Sequence, residues 1–181
     1  MKIFSTIERR QLDKINGIVV HQTASPTAQS AFNSYSNAGA NGAHFLIDKD
    51  GTIYQTASLY KTTNHVGLLQ SRCIVTKRCS PSELKAASSI RNAKLLTRHE
   101  SKKAFPDRFP MNEDSIGIEI VSAAPKKDGK EIFDAATEAQ NGALKWLVKE
   151  LAETLGVSMQ ETYRHPEIGR KNPTEASTAK W

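Results

Sequence analysis

The chain has 181 residues, 38% apolar and 24% charged, the range of one globular domain with a core large enough to fold alone. Lys and Arg outnumber Asp and Glu by 25 to 19, and the resulting +6 suits an anionic partner such as nucleic acid, an anionic membrane or an acidic wall polymer. Only twelve aromatic residues occur, none interleaved with a basic run, which argues against nucleic acid. No stretch reaches the ~18 consecutive apolar residues of a membrane span.

The first ten residues, Met1 to Arg10, lack an apolar segment ahead of a small-residue cleavage site, so no secretory signal peptide is expected. Asn16-Gly17 then reads as a turn into a short buried strand, Ile18-Val19-Val20, because consecutive β-branched residues favour the pleated backbone. His21 falls at its end. Pro26 breaks the strand, and Thr27 to Ser36 can form a short helix with the proline near its first turn. After a loop of small residues, His44-Phe45-Leu46-Ile47 and Thr52-Ile53-Tyr54-Gln55 flank Asp48-Lys49-Asp50-Gly51. Asp-Gly between two apolar runs predicts a hairpin. His65 follows in the polar loop Asn64-His65-Val66-Gly67.

Residues 70–113 carry both cysteines and ten Lys or Arg and read as a long, partly helical insertion or lid, with a helix starting at Ser80-Pro81-Ser82-Glu83. Cys73 and Cys79 are open to two readings, a disulfide in an oxidising compartment or free thiols in a surface loop. From Asp114 to Val121, Ile116, Ile118 and Ile120 alternate with Gly117 and Glu119. This places Glu119 mid-strand on the face opposite the isoleucines, facing either solvent or a cleft. Thr137 to Leu155 is the clearest helix: Leu144, Leu147, Val148, Leu151 and Leu155 recur at three- and four-residue steps, Thr137 and Gln140 can form a capping box, and Gly156 ends it. Beyond it, Pro166, Gly169 and Pro173 predict a structured loop that brings His165, Lys171 and Glu175 close in sequence.

Val19-Val20-His21-Gln22-Thr23-Ala24, Gly42 to Gly51, Asn64-His65-Val66-Gly67, Ser115-Ile116-Gly117-Ile118-Glu119 and His165 to Lys171 together resemble the zinc-dependent N-acetylmuramoyl-L-alanine amidases. That superfamily includes phage lysozyme-like amidases, anhydro-muropeptide amidases and peptidoglycan recognition proteins. The motifs follow the family's order from about residue 16 to 175. The resemblance implies an α/β fold of the α+β type, a single domain over residues 1–181 with a central mixed sheet flanked by helices. It further implies one zinc ion at the end of the sheet, in a groove for peptidoglycan or its fragments.

On the same footing, His21 and His165 are expected as zinc ligands, Glu119 as general base and Lys171 as the cation facing the oxyanion. His44 and His65 are expected to contact substrate or support the site. The third ligand departs from the family pattern, since Pro173 stands two residues beyond the lysine where the family has Asp or Cys. Glu175, the nearest carboxylate, is the expected ligand, with Glu167 or a loss of zinc as the alternatives. A tyrosine that some members carry before the hairpin histidine is Ala43 here, so catalysis would lean on Glu119. The rival function is a non-catalytic peptidoglycan-binding module. A monomer is expected, made in the cytosol and acting on the wall as a phage lysin or secreted effector, or else recycling wall fragments in the cytosol. An effector would need an immunity protein as partner.

Overall fold

The computed structural model describes residues 1–181. A five-stranded sheet runs through it in the order β4 (Ile53–Gln55), β3 (Phe45–Ile47), β6 (Ser115–Ile120), β2 (Gly17–Gln22) and β9 (Thr162–Arg164). β3 and β4 form the antiparallel hairpin expected around Asp48 to Gly51. β3, β6, β2 and β9 run parallel, which makes the sheet mixed. β1 (Glu8–Gln11) pairs with β5 (Lys61–Thr63) in a separate ribbon, and β7 (Lys126–Lys127) with β8 (Lys130–Glu131) in a second.

The three isoleucines of β6 join Ile18, Val20, Phe45 and Ile47 on one face, where α5 (Glu138–Leu155) covers them with Leu144, Leu147, Val148 and Leu151. Burying each such side chain contributes about 1.5–3 kcal/mol, so this face anchors the fold. The α5 start carries the expected capping box, with Gln140 N–H donating to the Thr137 hydroxyl and Thr137 N–H returning to the Gln140 carbonyl, each at 3.0 Å. The Gln140 amide also donates to Val121 O at 2.9 Å, which ties the helix to the strand it covers.

The opposite face is divided. Over β3, α1 (Ala28–Tyr35), capped by Thr27, buries Ala28, Ala31, Phe32 and Tyr35 with Ile7, Leu46 and Val121. Val19 packs instead with Val66, Leu69, Phe109 and Ile168. His21 and Glu119 lie on this divided face, because both alternate with residues pointing at α5.

Residues 70–113 form three helices, α2 (Arg72–Val75), α3 (Pro81–Ser89) and α4 (Ala93–Glu100), of which only Ala87, Leu96 and Glu100 are buried. Polar and covalent ties hold them: the Cys73–Cys79 disulfide, the Arg72–Glu161 pair at 2.7 Å, and Lys103 between Glu83 and Glu100. The expected C-terminal loop contains one helical turn, α6 (His165–Ile168). Pro166 is compatible with it because a first-turn residue needs no N–H donor. No helix is long and apolar enough to cross a membrane.

Candidate metal site

Parallel strands end together at one edge of a sheet, and side chains there converge. His21 is the penultimate residue of β2 and pairs in register with Glu119 of β6. β9 pairs on the other side of β2, with Val20 opposite Arg164, so the next residue, His165, arrives beside His21. Their Nδ1 atoms are 2.8 Å apart.

Glu175 reaches the same point from the turn after Pro173. Its Oε1 lies 3.0 Å from His165 Nδ1 and 3.4 Å from His21 Nδ1. Gln22, next to His21, accepts from Ala176 N–H at 2.7 Å, and the Arg164 guanidinium donates to Ala176 O and Ala179 O. The displaced carboxylate is thus fixed by neighbours of the two histidines. Glu167, the alternative third ligand, is exposed and accepts from Arg164 instead.

The outer nitrogens decide the tautomers. His165 Nε2 faces Val66 O at 2.6 Å; a carbonyl only accepts, so Nε2 carries the proton and Nδ1 a lone pair. On the other side, the Ser115 hydroxyl donates to Met111 O at 2.6 Å. Its oxygen therefore receives His65 Nε2–H at 3.3 Å. That leaves His65 Nδ1 to accept His21 Nε2–H at 3.0 Å, and His21 Nδ1 also presents a lone pair. With both rings neutral, two imidazole lone pairs and a carboxylate oxygen converge within 4.8 Å. Such a group is able to hold a cation, two nitrogens and one oxygen being a donor set that zinc accepts.

The electrostatics agree. Burial, then the neighbouring His165, lowers the His21 pKa to about 4, and burial, then His21, holds His65 well below the usual range. Burial pushes the Glu175 carboxyl up, but hydrogen bonds donated by His165 and then His21 outweigh it and leave it at about 2, a role that a cation bound between the three groups would take over. A neutral His21 and an ionised Glu175 are in the states a metal requires.

These three residues open onto a pocket of about 610 Å³ that is also lined by Glu119, Lys171, His65, Asn64 and Asn112. Burial raises the Glu119 pKa, an effect its hydrogen bond from Tyr35 partly offsets. Asn112 holds His65 in place, its carbonyl oxygen accepting the His65 and Val66 amides at 2.9 and 2.8 Å. Gly117 leaves the ring room, since a Cβ there would lie 2.8 Å from His65 Nδ1.

His44 does not join the pocket. It is 0% exposed, donates from Nε2 to Lys61 O at 2.9 Å and accepts Gly117 N–H at 3.0 Å. With both nitrogens committed to backbone it offers nothing to a substrate, and the expected contact gives way to a role in fastening β5 to β6. Sequence reading missed Gln22, Tyr35, Asn112 and Ser115. Only Gln22 and Ser115 lay inside quoted motifs.

Two imidazoles and a carboxylate at the carboxyl edge of a mixed sheet, in front of a second carboxylate and a lysine, define a site able to hold one metal ion. The sequence profile described as N-acetylmuramoyl-L-alanine amidase matches residues 11–177, and the chain belongs to that family.

Among solved structures, the fold is similar to AmpDh3 from Pseudomonas aeruginosa in complex with anhydromuramic pentapeptide. That pair has 23% identity and a TM-score of 0.57, over 88% of this chain and 54% of that one. AmiD from E. coli, in complex with anhydro-N-acetylmuramic acid-L-Ala-D-γ-Glu-L-Lys, is similar at 20% identity and TM-score 0.58, over 88% and 53%. The endolysin LysCS from Clostridium intestinale follows at 16% and 0.53, over 94% and 84%. The chain spans about half the length of the first two. No curated protein matches it.

Proposed function

We propose that the chain is a zinc amidase that hydrolyses the bond between N-acetylmuramic acid and L-alanine in peptidoglycan or its soluble fragments. The observation that carries this reading is the meeting of the His21, His165 and Glu175 lone pairs in a pocket that also holds Glu119 and Lys171. Zinc held there would polarise the scissile carbonyl and acidify the attacking water to a pKa of about 7.

The chain's own groups complete the chemistry. Glu119, kept partly desolvated with its pKa raised, accepts the proton of the attacking water and returns it to the leaving amine. The Lys171 ammonium faces the oxygen on which negative charge develops. Lys171→Ala should lower kcat by roughly 10²–10³-fold with little change in KM, measured on a soluble anhydro-muropeptide; an unchanged kcat would remove Lys171 from the mechanism.

The deciding experiment is a metal analysis of the purified protein alongside Glu175→Ala, with the same fragment as substrate. About one zinc per wild-type chain, lost in the variant together with cleavage, is the expected result. Wild type that binds the fragment but neither holds zinc nor cleaves it would make the chain a binding module. The Cys73–Cys79 bridge supports work in an oxidising compartment, as a monomeric wall lysin or as an effector whose producer carries an immunity protein.

A further inference from the structure

The Glu119 carboxylate has one hydrogen-bond partner in the chain. The hydroxyl of Tyr35, the last residue of α1, donates to Glu119 Oε2 at 2.5 Å. Oε1 has no partner among the protein groups, and the residue lines the pocket. One oxygen is therefore held and the other left for proton transfer. Tyr35 itself is 3% exposed, so its phenol is removed from the substrate and bears on the reaction only through the carboxylate.

The surroundings fix that phenol. Its ring stands edge-on to Phe4, centroids 5.7 Å apart, and the Thr6 hydroxyl holds the Tyr35 carbonyl. A Cβ on Gly42 would lie 2.9 Å from Tyr35 Cε1 and 3.0 Å from Ile7 Cδ1, so the loop before β3 has its smallest residue where the ring passes. Packing from α1, the N-terminal segment and the β3 loop thus aims one O–H at one carboxylate oxygen. An uncommitted carboxylate would have several rotamers open to it.

Resting on the amidase reading, we propose that Tyr35 is the positioning residue for Glu119: its hydroxyl fixes the carboxylate so that Oε1 faces the attacking water. Tyr35 keeps its own proton throughout. Only Oε1 gains and releases one.

Tyr35→Phe removes the hydroxyl and keeps the ring in its cluster. General-base catalysis supplies about 10²–10⁴-fold, so loss of aim should lower kcat by roughly tenfold or more, with KM within about twofold and zinc content unchanged. A second readout does not depend on turnover. Besides Tyr35, Glu119 faces Glu175, His165 and Lys171; of these contacts the variant removes only the phenol donor, which favours the carboxylate anion. ¹³C NMR of the Glu119 carboxyl in the zinc-loaded protein should therefore show its titration midpoint rise in Tyr35→Phe.

A variant with wild-type kcat overturns the proposal, and so does a drop in kcat with the Glu119 midpoint unmoved. In both cases a cleaving wild type leaves the amidase reading standing. A wild-type protein that leaves anhydro-muropeptide intact would remove that reading and this role with it.

Discussion

His65 contributes no atom to the point where His21, His165 and Glu175 meet, yet it decides what His21 presents there. Its Nδ1 takes the His21 Nε2–H, and only because Ser115 takes its own Nε2–H is that nitrogen free to accept. Removing His65 would let His21 turn its ring or change tautomer. Loss of such an outer partner typically costs 10–100-fold in metal affinity, and His65→Ala should show a zinc dissociation constant raised by about that factor in competition with a chelator. Unchanged affinity would mean that β2 alone orients His21. Several of these residues were legible only through the resemblance carried by the motifs around them: two histidines at strand ends, a glutamate out of step with isoleucines, and a lysine in a Pro/Gly-rich loop. Tyr35 could not, because an amphipathic helix buries a tyrosine for its ring whether or not its hydroxyl has a partner. Gln22 and Ser115 gave no signal of their own either; their partners lie 154 and 50 residues away in sequence.

Elements whose register is set locally were the legible ones. The Asp-Gly hairpin and the capped leucine helix contain their own instructions, turn chemistry in one and periodicity in the other. β1 and β5 do not: each is three or four residues long without an apolar residue, and each exists only by pairing with the other. The 70–113 helices were legible only in part because little apolar burial imposes a period on them. Their electrostatics are clearer. The segment holds ten Lys and Arg against four Asp and Glu, an excess of six equal to the net charge of the whole chain. Arg72, Lys103 and Arg108 are spent on ion pairs, while Lys77, Arg78, Lys85, Arg91, Lys94, Arg98 and Lys102 are exposed. An anionic polymer would therefore be drawn mostly to this element. Because exposed charges are screened within about 10 Å at 0.1 M salt, binding to intact sacculi should weaken several-fold as salt rises. Reversing Lys77, Arg78 and Lys85 to Glu should mimic that loss while sparing cleavage of a soluble fragment. Equal sacculus binding by the reversal variant would show that the wall is held elsewhere.

At the scale of the whole molecule, the sheet has a price for its close packing, a buried histidine that must stay neutral. His44 joins Lys61 of the β5 ribbon to Gly117 at the centre of β6, and burial lowers its pKa from 6.5 to about 4. Unfolded, the same ring takes a proton near 6.5. Above that value both states are neutral and the fold keeps its full stability. As the pH falls from 6.5 towards 4 the unfolded chain binds a proton that the native chain refuses, so stability declines across this window and levels off below it. The interval corresponds to roughly 3 kcal/mol, or a melting temperature lower by about 6–12 °C for a chain of this size. His44→Asn keeps one donor and one acceptor without a titrating group. It should melt lower than wild type at neutral pH but lose less between pH 6.5 and 4 by the His44 share alone, since the lowered His21 and His65 still titrate out of the native state. Thermal melts of both proteins at matched ionic strength decide the matter: parallel curves through that window would place the acid sensitivity in other groups and leave His44 a neutral fastener with no titration of consequence.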